Sequence, residues 1–433
     1  MAEQKKRRRL NNTMLTPIAK PSDLGQPQSN GNAERAKIFP GSPSDPSTKE
    51  DQTRWKGFCE IESEPAFFNV MLREFGVKGY KVQEVLGLDE EILAFLPKPI
   101  YGLIFLFRYG EDGVESEESS CPPGVWFANQ TSHNSCASIA LLNIVNNIPG
   151  ADLGEELQAF KEITKNLSPA LRGDQIANFS FVRNVHNSFA RKMDMLNTDL
   201  NMQNDVDESK SKRKKKKSVY KEEAGFHFIA FVPIEGQVWK LDGLDGQPHN
   251  LGEIGGSDWL KLAVPVIEER MGLYENQSIQ FALLGLITDP VAELQKSLAG
   301  NILSIQKTNE RLDVLDVDWR EPLASAADGA LDPAQLELVD DAVRIGLGQD
   351  QIEAATLSAT TKERISAGSV PTLIKHRQEL LGEQAELRSR LKDETFSHVS
   401  DKEQANGRRY DYDPVIREWV RMLAENGTLQ DLL

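Results

Sequence analysis

Apolar residues recur with the spacing of packed elements from about Trp55 to Leu315, and almost not at all before that. Pro65 to Gly76 reads as an amphipathic helix, with Glu64 near its start and Gly76 at its end. A short helix is predicted near Asp89 to Leu96. Tyr101 to Phe107 is an unbroken apolar run, expected as a buried strand over 101–108. It is far too short to span a bilayer, which takes about 20 residues. From Cys136 to about Asn147 the chain is apolar almost all round, the mark of a helix buried in a core. Ser135 or Asn134 is positioned to cap it, and Ile148-Pro149-Gly150 stops it. Further helices are expected near 153–166, 173–193, 258–271 and 289–315. Strands are expected at 226–233, 237–242 and 279–287.

The polar stretches divide this pattern. Residues 1 to about 50 are rich in Pro, Ser, Gly, Asn and Lys and read as a disordered tail. Glu111 to Ser120 reads as an acidic loop. Asn197 to Glu223 is polar, charged and lysine-rich, and is expected to be mobile. A domain boundary is placed near 290. Beyond it, residues 321–368 are rich in Ala, Asp, Glu and Leu without a continuous stripe. Two helical segments follow, at about 370–396 and 413–432, with a polar link between them. In the second, Val415, Ile416, Trp419, Val420, Leu423 and Leu429 form an apolar face. Such a face at a chain end suits a docking partner; packing on the body of the protein is the alternative.

Charge and cysteine content narrow the function classes. The 433 residues carry a formal net charge of −16, which argues against broad nucleic-acid binding. Two basic runs stand out, Lys5 to Arg9 and Lys210 to Lys217, and the first suits nuclear import from a flexible tail. Three cysteines, Cys59, Cys121 and Cys136, are too few for a disulfide framework and lack zinc spacing. No metal or cofactor is expected. A reducing compartment is implied, and no secretory signal is read at the basic, polar N-terminus.

The chemistry concentrates around Cys136. A thiol opening a helix faces unpaired backbone N–H groups and the positive end of the helix dipole, both of which favour the nucleophilic anion. Gln130, six residues upstream, offers an amide donor for a developing oxyanion. His227 lies in the predicted strand Phe226 to Val232, and Asp242 ends the next one. Nucleophile, base and orienting carboxylate thus follow in the order Cys, His, Asp, a known order for thiol acyl-transfer enzymes. A lone cysteine is more often a small buried hydrophobe, and a lone strand histidine a hydrogen-bonded core residue. Their joint presence reverses both readings. Asp245 competes with Asp242 but reads as a turn residue. Cys59 and Cys121 are taken as structural, and His133, His186, His249, His376 and His398 as non-catalytic.

Several separated blocks carry a wider likeness. They are Trp55 with Ile61 to Pro65, Pro99 to Phe107, Phe127 to Gln130, Asn134 to Ala137, Val185 to Ala190, and Phe226 to Phe228 with Leu241 to Leu244. Over about 53–290 the chain resembles the ubiquitin C-terminal hydrolases, papain-like cysteine proteases. The resemblance implies an α/β (α+β) fold, a central antiparallel sheet flanked by helices, over 51–290. It implies a loop crossing the active site at 194–223, longer than usual here. It also implies a helical extension over 291–433 whose end, about 370–433, resembles the docking module of the extended family members. Carried over by position, Cys136 is the nucleophile, His227 the general base and acid, Asp242 the carboxylate that orients it, and Gln130 the oxyanion stabiliser. The implied partners are ubiquitin and ubiquitinated proteins, with a proteasomal ubiquitin receptor or a chromatin-complex adaptor on the C-terminal helices. A cytoplasmic and nuclear location is expected, with no membrane. A catalytically silent ubiquitin-binding scaffold is the alternative.

Overall fold

The computed structural model describes residues 47–108, 118, 120–211, 225–256, 258–272, 281–320, 347–410 and 412–426. Six strands form one antiparallel sheet in the order β1-β6-β2-β3-β4-β5. They are β1 (Tyr80–Glu84), β2 (Ile100–Arg108), β3 (Phe226–Ile234), β4 (Gln237–Leu241), β5 (His249–Glu253) and β6 (Ala282–Thr288). The helices up to the end of the sheet are α1 (Lys49–Arg54), α2 (Pro65–Phe75), α3 (Glu90–Ala94), α4 (Cys136–Val145), α5 (Gly154–Thr164), α6 (Pro169–Asn178), α7 (Ser180–His186), α8 (Lys192–Ser211) and α9 (Leu260–Gly272). After it come α10 (Val291–Leu315), α11 (Gln349–Ala354), α12 (Ala359–Ala367), α13 (Val370–Arg409) and α14 (Asp413–Glu425).

The unbroken apolar runs become the central strands because both of their faces are covered. Leu103, Phe105 and Phe107 of β2 and Ile229 and Phe231 of β3 pack on Trp259, Leu260, Ala263 and Ile267 at and within α9. Alternation sends the next residues to the opposite face, where α4 lies against β2 and β3. Phe228 there meets Phe68 of α2, ring centroids 5.5 Å apart. Leu141, Leu142, Ile144 and Val145 of α4 are fully buried, each contributing roughly 1.5–3 kcal/mol. Glu235 and Gly236 both take positive φ, 49° and 80°, in the two-residue turn between Ile234 and Gln237. That turn sets the register of β3 against β4.

β1 and β5 carry no strong periodic signal and were not anticipated. In β1 only Val82 is buried. Its N–H donates to Asn69 Oδ1 at 2.6 Å, and Asn69 Nδ2 donates to its carbonyl at 3.0 Å. An α2 side chain thereby satisfies part of the sheet's open edge. Every residue of β5 is at least partly exposed, and pairing with β4 defines it.

The segment after β6 builds a second core. Leu294, Leu298, Ala299 and Ile302 of α10 pack on Leu387 and Leu391 of α13, with Leu347 and Ile352. The 40-residue α13 then continues onto α2. Ion pairs join it to α2, Arg73–Asp401 at 3.1 Å and Arg409–Glu74 at 3.0 Å, and to β1, Lys81–Glu394 at 2.6 Å. Arg408 reaches Glu62 and Asp194, each at 2.8 Å.

Four expectations change. The helix predicted over 173–193 is broken at Phe179, which is extended, and at Ala190. The polar stretch from 194 is helical to Ser211, and Met195 and Thr198 bury their side chains at helical spacing in its first turns. Residues 212–224, with most of the lysine run, lie outside the described residues. The link expected after 396 is helix as far as Arg409. Residues 1–46 of the expected tail lie outside the described residues, whereas Lys49–Arg54 form a helix with a Thr48–Asp51 capping box.

One glycine tests the close contact between helix and sheet. A Cβ on Gly102 of β2 would stand 2.7 Å from Ile144 Cγ2 and 3.1 Å from two further Ile144 carbons. Gly102→Ala is expected to destabilise the fold by about 1–3 kcal/mol through overpacking. A lowered denaturation midpoint at unchanged slope would report it.

Candidate active site

Cys136 sits at the mouth of α4, and the chain leading to it is held along the helix by side chains. Asn147 pairs with both backbone groups of Trp126, at 2.8 and 2.7 Å. Asn143 does the same for Ala128, at 2.9 and 3.3 Å. The buried Arg172 guanidinium donates to the carbonyl of Phe127 at 3.0 Å. Gln130 follows, its N–H donating to Gly243 O at 2.7 Å. Its Oε1 is buried without a hydrogen-bond partner. Ser135 is the N-cap residue, but its hydroxyl donates to Ser132 O at 2.8 Å instead of capping. The expected side-chain cap is therefore absent, and Asn134 turns the chain with φ 59°. The N-cap side chain leaves the first N–H groups of α4 untouched.

His227 and Asp242 meet from neighbouring strands. His227 is second in β3, Asp242 directly follows β4, and His227 Nε2 lies 2.6 Å from Asp242 Oδ1. Both are nearly fully buried. Phe107, opposite His227 in the register, meets the imidazole edge-to-face at 5.9 Å. Burial pulls the His227 pKa down, but hydrogen bonds to Asp242 and to the Cys136 thiol outweigh it and hold the ring up at about 9. For Asp242 burial acts upward. The His227 hydrogen bond and charge, then the Leu244 N–H and Lys240, win and keep it below the usual carboxylate range. Three of the four residues singled out in the sequence thus form one cluster, His227 bonded to Asp242 and set beside the Cys136 thiol. Gln130 joins it through Gly243, the residue after Asp242.

The competing residues are occupied elsewhere. The Asp245 carboxylate lies 3.3 Å from the buried Lys240 ammonium. His186 is fully buried between Ser138 Oγ and Cys59 O, each at 2.8 Å, and burial lowers its pKa to about 4. Burial pushes the Cys59 thiol up to about 12, and Cys121 is raised for the same reason. Among the described residues no group of three or more His, Cys, Asp or Glu could hold a metal ion.

Residues 58–272 match the family model "Ubiquitin carboxyl-terminal hydrolase, family 1". The ubiquitin carboxyl-terminal hydrolase isozyme L5 of Dictyostelium discoideum is 31% identical over 381 residues, covering 87% of this chain and 94% of that protein. The chain belongs to this family. It is a cysteine-type deubiquitinase. Another relative, ubiquitin carboxyl-terminal hydrolase ubh-4 of Caenorhabditis elegans, is 34% identical over 58% of this chain and 73% of its own length. The BAP1 hydrolase of Xenopus laevis is 33% identical over 58% of this chain but only 36% of its own. A solved structure of Trichinella spiralis UCH37 bound to ubiquitin vinyl methyl ester shares 30% identity over 66% of this chain and 97% of that one, with a TM-score of 0.44.

Several supporting residues of the hydrolase site had no signal in the sequence. Asn143 and Asn147 act on residues 15 and 21 positions away, and nothing local marks them. Gly243 was visible only as the glycine after Asp242. A Cβ there would lie 3.1 Å from Gln130 N and 3.0 Å from Ile139 Cγ2.

The raised His227 carries a sign that can be measured. A ring that is more basic folded than unfolded adds stability fully present below about 6.5, lost as pH rises through about 9. NMR of the imidazole should show it charged at pH 7. In Asp242→Asn, burial dominates and the ring should be neutral at pH 7, with stability less dependent on pH between 7 and 9.

Proposed function

We propose that Cys136 is the nucleophile, His227 the general base and acid, Asp242 the carboxylate that orients the ring, and Gln130 the oxyanion donor. The observation that carries this reading is the 2.6 Å contact between buried His227 and Asp242 beside the half-buried Cys136 thiol. An imidazole held charged beside the sulfur suits a thiolate–imidazolium pair. The thiolate adds to the carbonyl carbon of ubiquitin's terminal glycine, and the carbonyl electrons move to oxygen. Gln130 and the Cys136 N–H steady that oxyanion, about 3 kcal/mol per donor. Collapse breaks the C–N bond, and His227 gives its proton to the departing amine. Water, deprotonated by His227, then cleaves the thioester and restores the thiol.

The substrates in this reading are proteins joined to ubiquitin by an amide or isopeptide bond. The net charge of −16 suits a basic ubiquitin face. The enzyme is proposed to act at the proteasome, docked through α14 on a ubiquitin receptor. Supporting this, Val415, Ile416 and Trp419 are 60%, 50% and 59% exposed, so the apolar face predicted there is not packed on the hydrolase domain. The match to the Dictyostelium relative also extends well beyond the catalytic region. A chromatin-complex adaptor on the same face is the second reading, favoured by the basic cluster at Lys5 to Arg9 and the BAP1 likeness. Both readings place the protein in cytoplasm and nucleus.

Cys136→Ala is expected to abolish hydrolysis of a ubiquitin amide while keeping ubiquitin binding; turnover by that variant would end the assignment. Gln130→Ala should lower kcat by about 10²–10³-fold with little change in affinity. Full-length protein carrying Trp419→Glu should lose its receptor in co-purification yet hydrolyse ubiquitin amides as before. Retention of the receptor would move docking away from α14.

A further inference from the structure

The proposed oxyanion donor and the proposed His–Asp pair belong to different parts of the fold. Gln130 rides on the segment laid along α4, and Asp242 on the turn after β4. Catalysis needs the two to keep one relative geometry. We propose that Asn129 is a positioning residue whose side-chain amide locks the Gln130 loop to the Asp242 turn.

Asn129 Nδ2 donates to Asp245 O at 2.6 Å and to Gly243 O at 3.4 Å. Both acceptors are carbonyl oxygens, so only the nitrogen end of the amide fits this place. The receiving turn is itself stiff. Asp245 N–H donates to Asp242 O at 3.1 Å, and Leu244 N–H to Asp242 Oδ1 at 2.9 Å. The Asp245 carboxylate is anchored on Lys240, which is only 3% exposed. Next to the bridge, Gln130 N–H reaches Gly243 O at 2.7 Å, an approach that a side chain at 243 would obstruct.

The Asn129 backbone is secured independently of its side chain. Its N–H donates to Pro169 O at 3.0 Å. A Cβ on Gly173 of α6 would come within 2.1 Å of the Asn129 carbonyl oxygen, so helix and loop are in direct backbone contact. Removing the side-chain amide therefore loosens the bridge while the loop keeps its seat on α6. Asn129 touches none of the reacting atoms in this account. It acts through Gln130 on one side and Asp242 on the other.

The inference rests on the roles proposed for Gln130 and Asp242, and its test separates the two. Asn129→Ala and the similarly sized Asn129→Leu would be made in the full chain. Each would be measured for kcat and KM on a ubiquitin amide. Affinity for a ubiquitin C-terminal aldehyde, which the thiol converts to a tetrahedral hemithioacetal, would be compared with affinity for ubiquitin. Misplacement by a fraction of an ångström to 1 Å is expected to lower kcat about 10- to 100-fold. KM and ubiquitin affinity should hold, and aldehyde affinity should fall by a factor similar to that in kcat. Wild-type kcat in the Leu variant would mean that Asn129 only fills space and would overturn the inference. So would a loss confined to KM and ubiquitin affinity. Wild-type kcat in Gln130→Ala and Asp242→Asn would instead overturn the site reading beneath it.

Discussion

The packing of α4 against β2 and β3 is the constraint from which the site follows. Gly102 lets Ile144 approach the strand backbone, and the residues behind Cys136 are buried almost without exception. Such a contact has little freedom to slide, because displaced side chains would meet either a void or a clash. A sulfur at the open end of that helix is therefore fixed relative to the strand that bears His227. Asn143 on the same helix and Asn147 in the turn after it fix the segment that leads to Gln130. One apolar contact and two hydrogen-bonded pairs bring Cys136, His227 and Gln130 to the same place.

Electrostatics at the site runs against burial. Low-dielectric surroundings alone would leave His227 and Asp242 neutral. The 2.6 Å contact between them, with the thiol on one side and Lys240 on the other, restores both charges. A buried ion pair of this kind is weak evidence for stability, since desolvation offsets most of the attraction. Its persistence at the end of two strands, beside a thiol, is better explained by chemistry. His186 makes the contrast. It is as deeply buried and bonded at both nitrogens, but it faces a hydroxyl and a carbonyl instead of a carboxylate, and its pKa falls.

How far the site was legible depended on the range of each interaction. The helix of Cys136 and the strands of His227 and Asp242 are written in local apolar patterns, and their order along the chain suggested the chemistry. β1 was invisible because Val82 alone is buried and a side chain from α2 holds its edge. The part of α8 beyond 194 has no apolar stripe because its buried positions include the polar Thr198. The end of α13 was read as a link for a related reason. Asp401 and Arg408 face partners more than 200 residues away, so charge pairing replaces the apolar stripe. The extension as a helical region was legible, but its attachment to α2 was not.

That attachment bears on how docking at α14 would reach the active site. Arg408 is the penultimate residue of α13, five residues before α14 begins. Its guanidinium holds Glu62, Asp194 and the carbonyls of Glu60 and Phe189 together. Asp194 lies in the first turn of α8, and further along that helix Thr198 meets Asn134 and Asp199 meets Trp55. Asn134 is two residues from Cys136. A short path of charge and hydrogen bonds, from Arg408 through Asp194 and Thr198 to Asn134, therefore joins the end of α13 to the loop that leads into Cys136. The Arg408–Asp194 pair, 10% and 15% exposed, is poorly screened by salt. The same charges that hid this helix from its sequence pattern are what tie the extension to the catalytic end of the molecule.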